Sequence, residues 1–420
     1  MGAKPKISRR EFLGRAIAAG AAFSIVPSRL LGGPRAPSNL ITRAVIGTGG
    51  MGMGHVTGYP QTLAVCDVDR NHLDAAAKKA GGKVAAYADW REVLDRDDID
   101  TIHIPTPPHW HVLIAIAAAQ AGRDVYSEKP ATHTIAEGKA LVRAIERYGV
   151  VYQANTWGRG SGYFMRKLVA SGVLGTPLKV VLNPDYCATG FKIKMWSGRP
   201  NLEPQPVPDC LNYDLWLGPA PVKPYHPHRV HGSFRGYWDY DEGGLGDMGQ
   251  HHIDPIQYGL GKDDTGPVEV EALAPWPQHP DAAGLWGTVF MKYADGTTLT
   301  MESWEWGEKT TAGRPLLEGP NGKYWGGSRL EPAGLLEELK RFPDPPRLQD
   351  WEHTVHTRQN EHGVHPNVRQ AHRSATLLHL ATIAIRLGRK IHWDPVTEEF
   401  PGDEEANRLA APPMRAPWHL

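Results

Sequence analysis

Cysteine is scarce in this chain: three residues in 420, at positions 66, 187 and 210, are too few for a disulfide framework. Cys66 falls in an apolar run expected to be a buried strand, while Cys187 and Cys210 could pair but need not. Long apolar runs are also missing. No segment approaches the roughly 20 uninterrupted apolar residues of a bilayer-spanning helix, so the body of the chain is expected to be soluble. The third absence is a surplus of positive charge. Beyond residue 36, 39 basic and 45 acidic side chains leave a formal balance of −6, and no basic face for nucleic acid is implied. There is no internal repeat. What remains is long enough for two domains, each with its own core.

The first 36 residues have a different character, with seven Lys/Arg and one acid. Ser8-Arg9-Arg10-Glu11-Phe12-Leu13 precedes a mildly apolar, Ala- and Gly-rich stretch from Ala16 to Pro27. This resembles a twin-arginine export leader, either processed near Ala36 or kept as an uncleaved lipid-proximal anchor, with a periplasmic destination served by the twin-arginine machinery. That route carries proteins already folded around their cofactors. An exported protein that needs a soluble cofactor meets little of it free, so tight retention of any cofactor is expected.

Arg43-Ala-Val-Ile-Gly47-Thr-Gly49-Gly50-Met51-Gly52 places a glycine-rich turn between an apolar run and a coming helix. Gly47 allows the tight turn, Gly49 lets backbone approach a pyrophosphate, and Gly52 lets the helix pack closely on its strand. The phosphates would sit on the helix N-terminus, near Gly50 and Met51, where orphan N–H groups and the macrodipole favour an anion. Leu63-Ala-Val-Cys-Asp67 reads as a second strand ending in an acid twenty residues after Gly47, suited to a ribose diol. Asp67 favours NAD, and Arg70 nearby leaves NADP open.

From residue 40 to 155 strands and helices alternate at short spacing, which requires a parallel sheet covered on both faces. The expected fold is α/β, an N-terminal Rossmann domain followed over 156–395 by an α+β domain and over 396–420 by a C-terminal tail. In the second domain Val268–Ala272, Gly287–Tyr293 and Thr297–Ser303 alternate at period two, which predicts an open, mostly antiparallel sheet. A late helix from Gln370 to Leu387 stops at Gly388.

Two constellations carry chemistry. Ser127-Glu128-Lys129-Pro130 ends a Rossmann strand, so the Lys129 ammonium would project toward the nicotinamide and stabilise an alkoxide. In Gly243-Gly-Leu-Gly-Asp247-Met-Gly-Gln-His251-His252-Ile-Asp254, Asp247 and His251 stand four apart and share a helix face, with His251 placed to take a hydroxyl proton. The His251-His252-x-Asp254 string lacks a clearly spaced further ligand, so no metal is expected. Candidate substrate contacts are Trp157, Arg159, Ser161 and His252.

The glycine turn, Asp67, the Thr106-Pro107-Pro-His109-Trp-His111 loop, Glu128-Lys129-Pro130 and Asp247-x-x-x-His251 together resemble the Gfo/Idh/MocA oxidoreductases over nearly the whole chain after the leader. The resemblance implies an NAD(P)-dependent dehydrogenase with Lys129 at the substrate hydroxyl and Asp247 and His251 binding substrate and moving the proton. It places Thr106, Pro107 and His109 beside the nicotinamide and Glu128 in the cofactor site. It also implies a homodimer or homotetramer formed through the second sheet. The expected substrate is a carbohydrate, polyol or glycoside. Exported members that cleave glycosides by transient oxidation carry a Tyr-Pro-Thr-His-type element where this chain has Asp-Met-Gly-Gln-His, so simple oxidation is favoured over hydrolysis. A non-catalytic sugar-binding role has less support while Lys129, Asp247 and His251 are all present.

Overall fold

In the computed structural model the chain is described over residues 40–58, 61–187 and 198–420. The leader, including Arg9 and Arg10, lies outside the described residues. The first half alternates as its sequence demands: β1 (Arg43–Ile46), α1 (Gly50–Thr57), β2 (Thr62–Cys66), α2 (Arg70–Lys79), β3 (Ala85–Tyr87), α3 (Trp90–Leu94), β4 (Thr101–Ile104), α4 (Pro108–Gln120), β5 (Asp124–Glu128), α5 (Ile135–Tyr148) and β6 (Tyr152–Asn155). These strands form a six-stranded sheet in the order β3-β2-β1-β4-β5-β6, parallel throughout. Its interior strands are buried on both faces, which is why Ala44-Val-Ile, Ala64-Val-Cys and Thr101-Ile-His-Ile read as continuous rather than alternating runs. The termini of α5 are specified locally. Thr134 and Glu137 form a reciprocal capping box at its start, and Gly149 ends it in the left-handed region.

The second half contributes α6 (Tyr163–Ala170), β7 (Lys179–Leu182), α7 (Tyr213–Leu217), α8 (Gly243–Leu260), β8 (Glu269–Leu273), β9 (Thr288–Lys292), β10 (Thr298–Glu302), β11 (Leu317–Gly319), β12 (Gly322–Tyr324), β13 (Leu330–Glu331), α9 (Gly334–Leu339), α10 (Trp351–Thr357), α11 (Val368–Leu387), β14 (Ile391–His392) and α12 (Glu404–Ala410). The eight-stranded sheet runs β13-β12-β11-β7-β10-β9-β8-β14 and is antiparallel except where β7 pairs with β10. Along β9, Val289 and Met291 face the core with no exposed surface, while Phe290 points outward and is 37% exposed. Helices α8 and α11 cover the inner face through Leu245, Ile253, Leu378 and Ala381.

Two segments depart from the expected boundaries. Residues 349–367 return to the first sheet, where Trp351 lies 5.0 Å from Tyr126 and Arg358 pairs with Asp124. Residues 396–420 are not a loose tail. Phe400 and Ala406 enter the second core, and the chain ends with Trp418 against Trp110, centroids 4.8 Å apart, because these apolar groups have nowhere drier to go.

Arg159 is a correction of role. The residue is 1% exposed and its guanidinium binds Asp254 (Nη2 to Oδ1, 2.7 Å) and Asp263 (Nη1 to Oδ2, 2.9 Å), so it is committed inside the protein and not to a substrate. It anchors the start of the second domain to α8. Removing one partner of such a pair strands the other charge in a dry interior. Arg159→Ala is therefore expected to lower the unfolding free energy by about 3–5 kcal/mol in urea titrations, and a change below about 1 kcal/mol would refute the structural role.

Candidate functional site

A cleft of about 460 Å³ opens where β1, β2, β4 and β5 end, the edge at which parallel sheets bind ligands. At one end is the glycine turn. Gly47 has φ +93°, and a Cβ on Gly52 would lie 1.9 Å from the Gly47 carbonyl oxygen, so only glycine lets α1 close on β1. Gly49 and Gly50 serve differently. A Cβ on Gly50 would meet nothing within 4 Å and one on Gly49 only His72, so both keep backbone open to the cleft. No side chain caps α1, and its first N–H groups remain for an anion, as a dinucleotide pyrophosphate requires. Met51 borders the same cleft and is 54% exposed. Asp67 is braced at the end of β2: its Oδ2 accepts from Thr48 N at 2.7 Å and its Oδ1 from Asp69 N at 2.9 Å.

Thr106 and Pro107 line the cleft. His109 does not, and the expectation that it would is corrected here. On α4 its imidazole turns inward, 3.0 Å from the Trp216 carbonyl oxygen, and burial drives its pKa down to about 3. The loop histidine that organises the site is instead His111. Its ring nitrogens lie 2.7 Å from Pro130 O and 2.8 Å from Thr106 O, tying the loops after β4 and β5 together.

Glu128 closes the floor. Its Oε1 accepts from Asn155 Nδ2 at 2.7 Å and lies 2.9 Å from His55 Nε2, while His55 Nδ1 is 3.0 Å from His103 Nδ1. Burial pushes the Glu128 carboxyl up, but His55 and the Lys129 ammonium outweigh it and hold it below its ordinary range. His55, on α1, thus links the glycine turn to the Glu-Lys-Pro loop. Its place three residues after Gly52, on the buried side of α1, is the signal that was available in the sequence.

At the other end, Lys129 Nζ donates to Asp247 Oδ2 at 3.1 Å and Asp247 O at 2.9 Å, and Arg235 Nε donates to Asp247 Oδ1 at 2.8 Å. Burial alone would raise the Asp247 carboxyl, but Lys129 and Arg235 hold it below the usual carboxylate range. Next to it, Asp241 is pushed well above the ordinary carboxylate range by burial and by the Asp247 charge. Arg235 and Asp241 have no motif around them and were not expected. One helical turn beyond Asp247, His251 is 7% exposed and stacks on Trp157, centroids 4.3 Å apart and planes 11° from parallel. Lys129 and Asp247 line the cleft wall, whereas His251, His252 and Trp157 are not among the residues that border it.

Trp157 is 60% exposed above His251 and meets His252 edge-on. Burial lowers the His252 pKa to about 4. Ser161, in a short 3-10 turn, is exposed and does not border the cleft, which corrects the expectation of a substrate contact. Asp254, one turn after His251, is committed to Arg159 and is not a ligand for anything else. Cys66, Cys187 and Cys210 are free thiols.

Residues 41–156 match the family model described as oxidoreductase family, NAD-binding Rossmann fold, and residues 162–420 match the oxidoreductase family, C-terminal alpha/beta domain. Levoglucosan dehydrogenase of Pseudarthrobacter phenanthrenivorans is 27% identical over 52% of this chain and 50% of its own. A glycosyl hydrolase family 109 protein of Solibacter usitatus is 32% identical over 34% of this chain and 37% of its own. The chain thus spans about half the length, or less, of these relatives. Among solved structures, the WlbA dehydrogenase of Bordetella pertussis in complex with NADH and UDP-GlcNAcA has the same fold. Its TM-score is 0.57 at 18% identity, covering 84% of this chain and 99% of that one.

Burial and the Lys129 ammonium together lower the His251 pKa to about 3, so its imidazole is neutral at pH 7. Its 13Cε1 shift should stay flat from about pH 8 to about pH 5. Lys129→Met should move the midpoint up while burial keeps it below 6.5. A midpoint near 6 in the unsubstituted protein would mean that the imidazole is far wetter than described.

Proposed function

The chain belongs to the Gfo/Idh/MocA oxidoreductases, and on that premise we propose that it is an exported NAD-dependent dehydrogenase acting on a secondary hydroxyl of a sugar, polyol or glycoside. The observation that carries this reading is the Lys129–Asp247–Arg235 cluster, set at the end of the cofactor cleft with His251 one helical turn on and Trp157 stacked over it. NAD, when bound, supplies the hydride acceptor. Two cations around one carboxylate leave a net positive site in a water-poor pocket, the environment that stabilises an oxygen losing its proton. Lys129 orients the hydroxyl, and Asp247 fixes the Lys129 ammonium and accepts from a neighbouring hydroxyl. The His251 imidazole takes the proton. Its low affinity for protons in the resting site rises as negative charge develops beside it. Trp157 offers an exposed aromatic face of the kind that stacks on the apolar face of a sugar ring.

Asp67 favours NAD over NADP, since a carboxylate held by the Thr48 N–H repels a 2′-phosphate. Export rests on the Arg9-Arg10 leader, and with export goes tight retention of the dinucleotide. Association through the second sheet rests on its outer face, where Phe290 and Leu273 are exposed side by side with Trp306 close by. The partial likeness to a glycosyl hydrolase family 109 protein keeps a second reading open, in which the same hydride step precedes elimination of an aglycone.

A panel of glycosides incubated with the purified protein separates the readings. A keto-sugar with its aglycone intact is expected, free aglycone would favour the hydrolase, and binding with no change in cofactor absorbance would favour a binding protein. Lys129→Met or His251→Ala should reduce turnover by roughly 10²-fold or more with dinucleotide still bound, and unchanged turnover would reassign the chemistry. Denaturing protein purified without added cofactor should release NAD. Phe290→Asp should shift the mass in light scattering from oligomer to monomer without altering the circular dichroism spectrum, and an unchanged mass would place the interface elsewhere.

A further inference from the structure

On the rim of the cleft, away from Lys129, three side chains with metal-binding atoms converge. Asp69, His72 and His231 each present one donor atom, all within 4.8 Å of one another. Asp69 is buried before α2, where its Oδ1 accepts from Asn71 N at 2.8 Å and so fixes the carboxylate, while its Oδ2 lies 3.5 Å from His231 Nε2. The His72 and His231 rings meet edge to face with centroids 4.8 Å apart. His231 holds its position at φ +55°, in the left-handed region a non-glycine residue seldom occupies. The two histidines come from parts of the chain far apart in sequence, joined nearby by the Asp69 bridge to Leu211.

We propose that Asp69, His72 and His231 bind one divalent transition-metal ion of the zinc type, clasping α2 to the segment that carries His231. Two imidazoles and a carboxylate are a borderline donor set that suits Zn²⁺ or Co²⁺ and discriminates against Mg²⁺ and Ca²⁺, which take oxygen ligands. Tetrahedral bonds of about 2.0–2.2 Å put neighbouring ligand atoms roughly 3.3–3.5 Å apart, the separation already found between Asp69 and His231. Moving His72 by a small rotation completes the set. Burial, then the neighbouring His72, lowers the His231 pKa, so its imidazole carries a free lone pair at neutral pH. All three residues border the cleft, so the remaining coordination position is left to water or to an oxygen of the cleft's occupant. His231 is exposed, which gives an ion its path in.

The site is tested on the full chain by removing metals with EDTA, dialysing, and titrating with Co²⁺. One equivalent should bind per chain with the visible absorption of nitrogen-ligated Co²⁺, and Zn²⁺ but not millimolar Mg²⁺ should displace it. His72→Ala should weaken binding at least tenfold, and so should His231→Asn, which tolerates the left-handed backbone and guards against misfolding. Both variants should keep their circular dichroism spectra. No binding at micromolar Co²⁺, or undiminished binding in the double variant, overturns the proposal. None of these readouts depends on the dehydrogenase reading.

Discussion

The ion pair between Lys129 and Asp247 is the constraint on which the site depends. Its partners are 118 residues apart, one at the end of β5 and the other in α8. Both are under a tenth exposed, so each loses its hydration on folding and neither charge is tolerable alone. The pair therefore forces the first sheet and α8 into register. Its geometry is not that of a sealed structural bridge. Arg235 adds a second cation, while burial and the Asp247 charge push the neighbouring Asp241 carboxyl well above its ordinary range. Lys129 and Arg235 share the single Asp247 carboxylate, which cannot neutralise both. An oxyanion formed in the cleft would do so, which makes an otherwise costly arrangement intelligible.

Helix α8 holds this charge still. Asp247, His251, Asp254 and Tyr258 follow one another at spacings of three or four, on one face. The face is graded along its length: Asp247 at the cleft, His251 beneath Trp157, Asp254 locked by Arg159, and Tyr258 beneath the same guanidinium at 5.3 Å. Its opposite side is packed too closely to shift. A Cβ on Gly249 would come within 2.4 Å of Leu378 and one on Gly259 within 2.6 Å of the Met165 sulfur. The buried Arg159–Asp254 pair thus lies seven residues from the reacting end and fixes its angle.

The Rossmann half was legible because its determinants are local. Gly47, Gly52, Asp67 and the capping residues of α5 act within a few residues of where they stand, and period and turn chemistry suffice to read them. That Asp247 and His251 share one face of α8 was legible for the same reason, through helical spacing. What escaped is what depends on contacts distant in sequence. Arg159 and His109 are polar residues beside a domain junction and a cofactor loop, and no local pattern distinguishes a substrate contact from a side chain already committed to Asp254 or to the Trp216 carbonyl. Arg235 lies in a Gly-rich stretch with no motif and acquires meaning only through Asp247. The final 25 residues looked like a tail because Pro412, Pro413 and Pro417 break any helical or strand period leading to Trp418. Its neighbours are Trp90 and Trp110, more than three hundred residues earlier.

The two ends of the cleft answer different physical demands. At the glycine turn the chain leaves backbone N–H groups uncapped, at little cost, because water satisfies them until an anion arrives. At the Lys129 end the charges meet protein partners instead. Every strong charge already has a partner, and the neighbouring imidazole is neutral. A phosphate needs only a site open to it, whereas an alkoxide exists only in the course of reaction. Groups that stabilise it must be aimed beforehand, since reorienting them during the step would consume the free energy they provide. The ion pairs perform that aiming, and their burial makes it rigid.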